Sequence, residues 1–387
     1  MMKSALLDTN NKIKSYEFFN GENITEFKIP EGVEGIGNGA FKNCTKLTKV
    51  TFPKSVKSIG DEAFYGCTNL LKVVIPEGVE NIGEGTFSHC KRLMDVKMSQ
   101  NVKEIGDYAF SKCTNLTYVT LPKCLETIGD YAFHDCLSLN DLAFPEKMKA
   151  IGKSAFWGCT NLMMLTLPKG LEIIQNYAFY GCKNIRQLVI PDGVKKIGDY
   201  AFCGCKNIKS SIFPQSMEHI GRAAFFGCEN IKAVKIPAGV KKIGNLAFAD
   251  CTHLSEVNIP ESVMEIGDQI FKGCLSLVKP WSREENNRDC QKELAVQLSQ
   301  QDEIPRKKYH IPLMEYFYWD FVVEAKNQEE ALEIYNAFEQ KSTYEEKVYE
   351  ISKKNTQIEL KKNVYNWETI LNMKIADYEN TMVCEEE

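Results

Sequence analysis

Residues 47–69 read LTKVTFPKSVKSIGDEAFYGCTN, and this stretch contains the pattern that recurs along most of the chain. Leu47, Val50 and Phe52 are spaced so that apolar side chains fall on one face, which predicts a short strand. Pro53 ends the strand, because proline has no N–H group to donate to a β-ladder. The pattern therefore predicts one strand in each unit.

The remainder of the unit is predicted to turn back against the strand. Val56 and Ile59 return to the core, and Gly60 permits a backbone turn that a side chain would hinder. Residues 63–67, AFYGC, predict a short helical or 3₁₀ turn that buries the Ala, Phe and Cys side chains. One unit cannot bury so many apolar side chains alone, so neighbouring units must stack.

Four columns of residues keep a spacing of 23 residues through eleven consecutive units. A phenylalanine recurs at this spacing from Phe41 to Phe271, and a cysteine follows each of them three positions later. A proline column is broken only by Ser99, and an Ile-Gly column is broken only at Gln175. Gln175 in the Ile-Gly column and Ser211 in the buried strand column are each expected to loosen their own units. Stacked strands lie about 4.8 Å apart, so the units predict a parallel sheet roughly 55 Å long.

The repeating pattern resembles the BspA-like family of leucine-rich repeats, in the subclass with 23-residue repeats. The shared features are a strand ending in Ile-Pro, a following Val, an Ile-Gly pair, an Ala-Phe pair and a Cys, and they recur in register over residues 22–280. The resemblance implies a leucine-rich repeat solenoid of α/β type, with parallel strands and short helical or 3₁₀ turns. It also implies protein binding or adhesion, since known members are mostly surface or secreted proteins of bacteria and parasitic protists.

Periodicity divides the chain into a repeat region and a different C-terminal part. Residues 1–21 are predicted to form an N-terminal cap, and residues 22–280 a solenoid of eleven to twelve repeats. Residues 281–308 are predicted to be a cap or linker. Residues 309–387 are predicted to form a small acidic α+β module that resembles no recognisable family.

Two local patterns support the C-terminal module. Apolar residues alternate from Phe317 to Ala325, which predicts a strand. Asn327 followed by Glu330 forms a capping box for a helix whose apolar face comprises Leu332, Tyr335 and Phe338.

Charge and hydropathy exclude several classes of protein. The 387 residues have a net charge of −5, and residues 281–387 hold 14 Lys+Arg against 23 Asp+Glu, a net of −9. No nucleic acid is expected as the main partner, because binding phosphates requires a basic face. No apolar run approaches the roughly 18 residues of a membrane span, so no membrane insertion is expected. Residues 1–17 lack the apolar core of a signal peptide, which predicts a cytoplasmic location, with the cell surface by a non-classical route as the alternative.

The cysteines and histidines indicate no catalytic, metal or cofactor site. In the eleven-cysteine column, parallel side chains would hold the Cβ atoms about 5 Å apart, whereas a disulfide needs about 3.8 Å. The prediction is therefore a column of buried free thiols. No Cys-x-x-Cys pair occurs and the five histidines lack metal-binding spacing. We expect neither an enzyme nor a cofactor.

The four cysteines outside the column are isolated in sequence: Cys124, Cys203, Cys290 and Cys384.

The outward residues of the predicted strands form the candidate binding surface, because the inward columns carry the fold. They are polar at both ends of the solenoid and apolar in the second and middle strands, as expected of an interaction face. Tyr and Met are favoured anchors in such faces, although β-propensity alone could place Val, Ile and Tyr on strands. The predicted partner-binding residues are Leu71, Val74, Tyr118, Met163, Met164, Val189 and Ile212.

A second aromatic row flanks the Ala-Phe pairs. A packed outer edge is the favoured interpretation, and a stripe that binds sugars or a partner is the alternative. The row comprises Tyr65, Tyr108, Tyr131, Trp157, Tyr177, Tyr180, Tyr200 and Phe226.

Together these patterns predict a non-enzymatic scaffold that binds a protein on the concave face of its repeat sheet. The alternative is a cell-surface adhesin that binds host or matrix proteins. A third possibility is a catalytic C-terminal part whose substrate the repeats recruit. The sequence does not indicate an oligomeric state.

Overall fold

The computed structural model describes residues 6–21, 23–140, 142–209 and 211–277, together with four strands between residues 307 and 385. The chain forms two units, Met1–Arg288 and Asp289–Glu387. The first unit is a solenoid of stacked repeats, and each repeat is named below after its ladder phenylalanine.

Most repeats contribute two short parallel strands instead of the one that the sequence predicted. In the Phe64 repeat, strand Lys49–Thr51 buries Val50 and exposes its two neighbours, and strand Ser58–Ile59 buries Ile59. A strand of two residues is too short to show alternation, which is why the second strand could not be recognised in the sequence.

The strands of the first kind stack into the long-strand sheet. Its middle residues face the core, and its first and third residues face outward wherever the side chains are described. The members are Glu26–Lys28, Lys49–Thr51, Lys72–Val74, Asp95–Lys97, Tyr118–Thr120, Met164–Thr166, Gln187–Val189, Ser211–Ile212, Ala233–Lys235 and Glu256–Asn258.

The strands of the second kind stack into the short-strand sheet, which begins one repeat earlier. Every strand pair that is formed is parallel and in register at a spacing of 23 residues. The members are Lys12–Ile13, Gly35–Ile36, Ser58–Ile59, Asn81–Ile82, Glu104–Ile105, Thr127–Ile128, Ala150–Ile151, Ile173–Ile174, Lys196–Ile197, His219–Ile220, Lys242–Ile243 and Glu265–Ile266.

The predicted helical or 3₁₀ turn is not a helix; within the described residues of 11–277 the structure contains strands and turns only. Between residues 62 and 67, even-numbered N–H groups donate to the following repeat at 2.7–2.9 Å, and odd-numbered N–H groups close turns to the residue three positions back at 2.9–3.2 Å. A helix would direct all these groups along its own axis. Here the alternation links the repeats instead.

Two columns of left-handed residues produce this alternation. Glu62 and Gly66 have φ angles of +53° and +69°, and the equivalent positions are left-handed in the other repeats. Glycine adopts this conformation without strain, whereas most residues with a Cβ atom do so at a cost. Lys112 has a φ of +59° at a position that is glycine in six of the repeats.

Two ladders fill the core beside the turns. Consecutive phenylalanine rings from Phe41 to Phe248 stack at 5.1–5.5 Å between centroids. Phe18 extends this ladder at the N-terminal end, 4.8 Å from Phe41. Each ladder thiol donates to a phenylalanine carbonyl of the preceding repeat, as Cys159 does to Phe133 at 3.2 Å. The predicted free thiols are confirmed for all the described cysteines.

Three phenylalanines that replace the Ile of the Ile-Pro pair coincide with weak points of the long-strand sheet. Phe52, Phe144 and Phe213 each pack edge-on against a ladder phenylalanine, at 5.5–5.8 Å. Lys49–Thr51 pairs with the next strand at one residue only. The Phe156 repeat has no long strand in its described residues, and Ser211–Ile212 does not pair with the strand that follows it. We attribute these interruptions to the larger ring, which displaces the adjoining backbone.

The short-strand sheet is interrupted at two places, between Ser58–Ile59 and Asn81–Ile82 and where Gln175 replaces glycine. Strands Ala150–Ile151 and Ile173–Ile174 belong to separate sheets there. Glycines of this column lie against the backbone of the preceding repeat; a Cβ atom on Gly198 would approach the amide nitrogen of Asn176 to 2.6 Å. A side chain at this position therefore requires the two repeats to separate slightly. At Ser211, the predicted register is confirmed, because this residue pairs with Leu188 of the buried column.

The described part of the second unit is an antiparallel sheet. Its central strands Lys307–Leu313 and Trp319–Ala325 pair over seven residues, with Ile358–Lys362 and Cys384–Glu385 on the outer sides. Trp319–Ala325 confirms the strand predicted from alternation. The predicted helix after Asn327 lies outside the described residues, so the α+β assignment of this module is not supported.

We expect Phe156→Ala to lower the free energy of unfolding by about 3–5 kcal/mol, because Phe156 is fully buried between Phe133 and Phe179. Denaturant unfolding followed by circular dichroism measures this change. Phe19→Ala is the control, since that ring is exposed. Equal effects of the two substitutions would contradict a core ladder.

We expect Lys112→Gly to raise the free energy of unfolding by about 0.5–1 kcal/mol, because release of left-handed strain exceeds the entropy that glycine adds to the unfolded chain. The same measurement applies. Lys91→Gly is the matched control, since Lys91 is exposed and its φ is not positive. That substitution should lower stability. A loss of stability in both variants would contradict strain at Lys112.

Candidate functional site

The candidate site is the outward surface of the long-strand sheet, here called the long-strand face. It consists of three columns: the residue before each strand, the first strand residue and the third strand residue. In the Phe87 repeat these are Leu71, Lys72 and Val74, around the buried Val73. The buried column holds the repeat in place, so these outward columns can carry other functions.

Five of the seven predicted partner-binding residues are exposed on this face. Tyr118 has 68% of its surface exposed and Met164 has 55%, while Val74, Met163 and Val189 are exposed by 42–50%. Leu71 is half-buried. Ile212 lies in strand Ser211–Ile212 opposite Val189, and its side chain is outside the described residues.

Strand register sorts these residues into two groups. Leu71, Val74 and Tyr118 lie on the sheet that ends with strand Tyr118–Thr120. Met163, Met164, Val189 and Ile212 lie on or beside the sheet that begins with strand Met164–Thr166. The Phe156 repeat, whose described residues form no long strand, separates the two groups along the chain.

Met94 belongs to the same face and was missed when the sequence alone was read. Its side chain is 49% exposed. Its N–H group donates to the carbonyl of Leu71 at 3.0 Å, and its carbonyl accepts from the N–H of Tyr118 at 3.3 Å. Met94 therefore connects two predicted residues. It stands 23 residues after Leu71 and 69 before Met163, so the repeat spacing could have identified it.

The exposed charges differ between the two ends of this face. Near its N-terminal end, Lys72 forms an ion pair with Asp95, and strand register places Lys49 opposite Glu26. Beyond the apolar residues, the column that contains Met163 continues with Arg186, Lys209 and Lys232, all exposed.

One column of the solenoid pairs each of its lysines with a glutamate. The column just before the short strands alternates Glu and Lys through ten repeats, from Glu34 to Lys241. Each lysine pairs with the glutamate of the preceding repeat, at 2.6–3.1 Å. The hydrogen bonds that lysine donates to Glu34, Glu126 and Glu218 lower the pKa of these carboxyl groups. Such exposed pairs stabilise little individually, so the alternation mainly prevents repulsion between neighbouring lysines.

The second aromatic row is a packed edge, as predicted. Tyr108 stacks on Tyr131 at 4.9 Å, and Tyr177 stacks on Tyr200 at 5.0 Å. Trp157 lies 5.3 Å from Tyr177 and is itself buried. Because these rings cover one another, little aromatic surface is left for a sugar to stack upon.

One histidine on this edge, His89, has a strongly shifted pKa. Burial lowers the pKa of His89 to about 3, with smaller contributions from Lys112 and Lys91. Its ring lies 5.0 Å from that of Tyr65, and Ser88 Oγ lies 3.0 Å from Nδ1. The imidazole is therefore neutral in the folded protein at physiological pH.

The described residues contain no cluster of metal ligands, and most of the ladder thiols are buried. Within the described residues, no group of three or more His, Cys, Asp or Glu side chains could hold a metal ion. Burial raises the pKa of the ladder thiols, such as Cys90, Cys113 and Cys136, which disfavours the reactive thiolate. In this same part of the chain, no helix has the length and apolar character needed to cross a bilayer.

We expect the free energy of unfolding to fall less between pH 7 and pH 5 in the His89→Asn variant than in the unmodified protein. The folded pKa of about 3 lies below the unfolded value of about 6.5, so protons bind the unfolded state preferentially in this window. Stability should be complete above pH 6.5 and decline as pH falls toward 3. Asn tolerates the φ of +61° at this position.

Denaturant unfolding at pH 7 and pH 5 measures this difference. His253→Asn, at an exposed histidine, should keep the acid sensitivity of the unmodified protein. An unchanged sensitivity in His89→Asn would show that this histidine does not carry the effect.

Comparison with known proteins identifies the family. The family model of the BspA type leucine rich repeat region matches in six copies, over residues 11–140, 95–187 and 172–283. No curated protein matches the chain.

Solved structures of similar proteins were found. A leucine-rich repeat protein from Bacteroides ovatus is 29% identical, with a TM-score of 0.52, over 69% of this chain and 80% of its own. A leucine rich cell surface protein from Faecalibacterium prausnitzii is 26% identical, with a TM-score of 0.42, over 69% and 81%. The pneumococcal vaccine antigen PcpA is 22% identical, with a TM-score of 0.44, over 65% and 66%.

The family matches together span residues 11–283, well over half of the chain, and the stacked parallel strands are those of a leucine-rich repeat solenoid. The protein therefore belongs to the BspA-type leucine-rich repeat family.

Proposed function

We propose that this protein is a non-enzymatic scaffold that binds another protein through its long-strand face. The observation that carries the proposal is the set of exposed apolar side chains on this face, centred on Tyr118, Met163 and Met164. Exposed apolar side chains rimmed by polar residues are typical of a protein interaction site. Membership of a leucine-rich repeat family supports an interaction role in general.

The methionines favour a binding role over strand propensity. Val74, Tyr118 and Val189 are residue types that strands prefer for their own sake, but methionine is not among those types. Met94, Met163 and Met164 are nevertheless exposed by 45–55%. Methionine adapts its shape to a partner and is often used at such surfaces.

The dimensions of the apolar set suit the centre of a protein interface. Leu71 and Val189 lie on long strands five repeats apart, which is about 24 Å at ordinary strand spacing. A stable interface buries about 800 Å² on each partner and places aromatic and methionine side chains at its centre. The polar residues at both ends of the face would then form the rim.

We expect replacement of Tyr118 and Met164 by a photocrosslinking phenylalanine analogue to give adducts with a discrete protein in native cells. Ile173, exposed by 42% on the short-strand sheet, is the matched control position and should give none. Alanine at four positions, Tyr118, Met163, Met164 and Val189, should abolish binding of the crosslinked protein when it is purified. The melting temperature should be retained, since all four residues are exposed.

Equal crosslinking from the long-strand face and from Ile173 would contradict the proposal. So would undiminished binding of the purified partner to the four-alanine variant.

Adhesion to host or matrix proteins is the second candidate function. It is supported by the family to which the chain belongs, whose members are mostly surface or secreted proteins. It uses the same face and differs from the first candidate in the location of the partner.

Protease added to intact native cells distinguishes the two candidates, because an intracellular scaffold should stay undigested and a surface adhesin should be removed. Immunoblotting with an antibody against the repeat region follows the protein, and lysed cells provide the control for digestion. Removal of the protein from intact cells would instead favour the adhesin, and matrix proteins would then be the partners to test.

A further inference from the structure

We propose that the long-strand face recognises a protein segment in which apolar anchor residues are followed by a run of acidic residues. This inference rests on the proposed function and adds the chemistry of the partner. The apolar part of the segment would cover Tyr118, Met163 and Met164. Its acidic part would lie along the basic column that follows them.

The apolar and basic residues are neighbours in one column of the face. The N–H group of Arg186 donates to the carbonyl of Met163 at 2.9 Å, and that of Lys209 donates to the carbonyl of Arg186 at 3.5 Å. The next residue of the column is Lys232. Lys235 adds a fourth cation in the column of third strand residues, in strand Ala233–Lys235.

These four cations lack the neutralisation that the lysines in the column before the short strands receive. No ion pair among the described residues involves Arg186, Lys209, Lys232 or Lys235. In the column just before the short strands, glutamates alternate with lysines, and each lysine pairs with the glutamate of the preceding repeat. Three consecutive cations in one column repel one another at the spacing of the repeats. An acidic partner would relieve this repulsion.

A protein segment fits these features better than a nucleic acid or an acidic polysaccharide does. The cations occupy three repeats at one end of the face, and the chain beside them presents methionine and valine side chains. A long polyanion would instead need basic residues along the whole face, whereas the middle of the face exposes Tyr118, Met163 and Met164. The adjoining apolar residues supply anchor positions that a protein can fill.

Selection of peptides tests the inference even though the partner is unidentified. Random 16-residue peptides displayed on phage are selected on the immobilised full chain. We expect enriched peptides to carry two or more large apolar residues and an acidic run close to them. A charge-reversed variant, Arg186→Glu with Lys209→Glu, Lys232→Glu and Lys235→Glu, should select basic runs instead.

Binding of one enriched synthetic peptide is then measured by fluorescence polarisation. We expect charge reversal to weaken binding at least tenfold, and added salt to weaken binding to the unmodified chain. A control variant reverses four exposed lysines outside the face and should change binding less than twofold: Lys54→Glu, Lys123→Glu, Lys169→Glu and Lys196→Glu. An alanine set at the four cationic positions replaces the reversed set if that variant fails to fold.

The outcomes separate this inference from the proposed function. Peptides that depend on Tyr118 and Met164 but tolerate charge reversal would overturn the acidic partner and leave the binding face in place. Peptides insensitive to both sets of substitutions would overturn both proposals. Tighter, charge-dependent binding of a labelled 20-nucleotide RNA or a heparin fragment would overturn the protein segment in favour of a polyanion.

Discussion

The solenoid depends on hydrogen bonds between repeats that alternate with turns inside each repeat. Left-handed residues such as Glu62 and Gly66 direct every second N–H group to the following repeat, and the others close the local turns. This arrangement satisfies the backbone without a helix. It also fixes the separation of the repeats, so phenylalanine rings stack at 5.1–5.5 Å and thiols reach the preceding carbonyls. The side-chain columns and the backbone hydrogen bonds therefore share one spacing.

The sequence predicted the columns that face the core and failed where the information lies in backbone dihedral angles. Phenylalanine, cysteine and proline columns gave the repeat, the stacking and the free thiols, because burial selects residue types. The turn was expected to be helical, since AFYGC is compatible with a helix. The positive φ angle of Glu62 excludes the helix. This angle could not be predicted from the residue type, because glutamate and the tyrosines at equivalent positions do not favour a positive φ. A two-residue strand such as Ser58–Ile59 is likewise too short to show a period.

The candidate site was predictable in part for the same reason. Outward columns are not constrained by the core, so their apolar residues could be selected from the pattern alone, as Tyr118 and Met164 were. Met94 was recoverable from its spacing to Leu71, but a scan for strand-favouring residue types passes over methionine. That Arg186 and Lys209 form no ion pair within the described part of the chain was not recoverable, because only the folded structure shows which cations have a carboxylate within reach.

In a repeat protein, each position can be compared with the equivalent positions of the other repeats, because each column defines the residue type expected there. Departures in the core columns have structural consequences: Phe52, Phe144 and Phe213 coincide with weakened long-strand pairing, and Gln175 with a break in the short-strand sheet. Departures on the surface have no such consequence. Met94, Met163 and Met164 do not fill the core, yet they expose apolar area where other repeats place Thr, Asn or Lys. Exposure of this kind offers the folded chain no stability, and the covering partner proposed above would account for it.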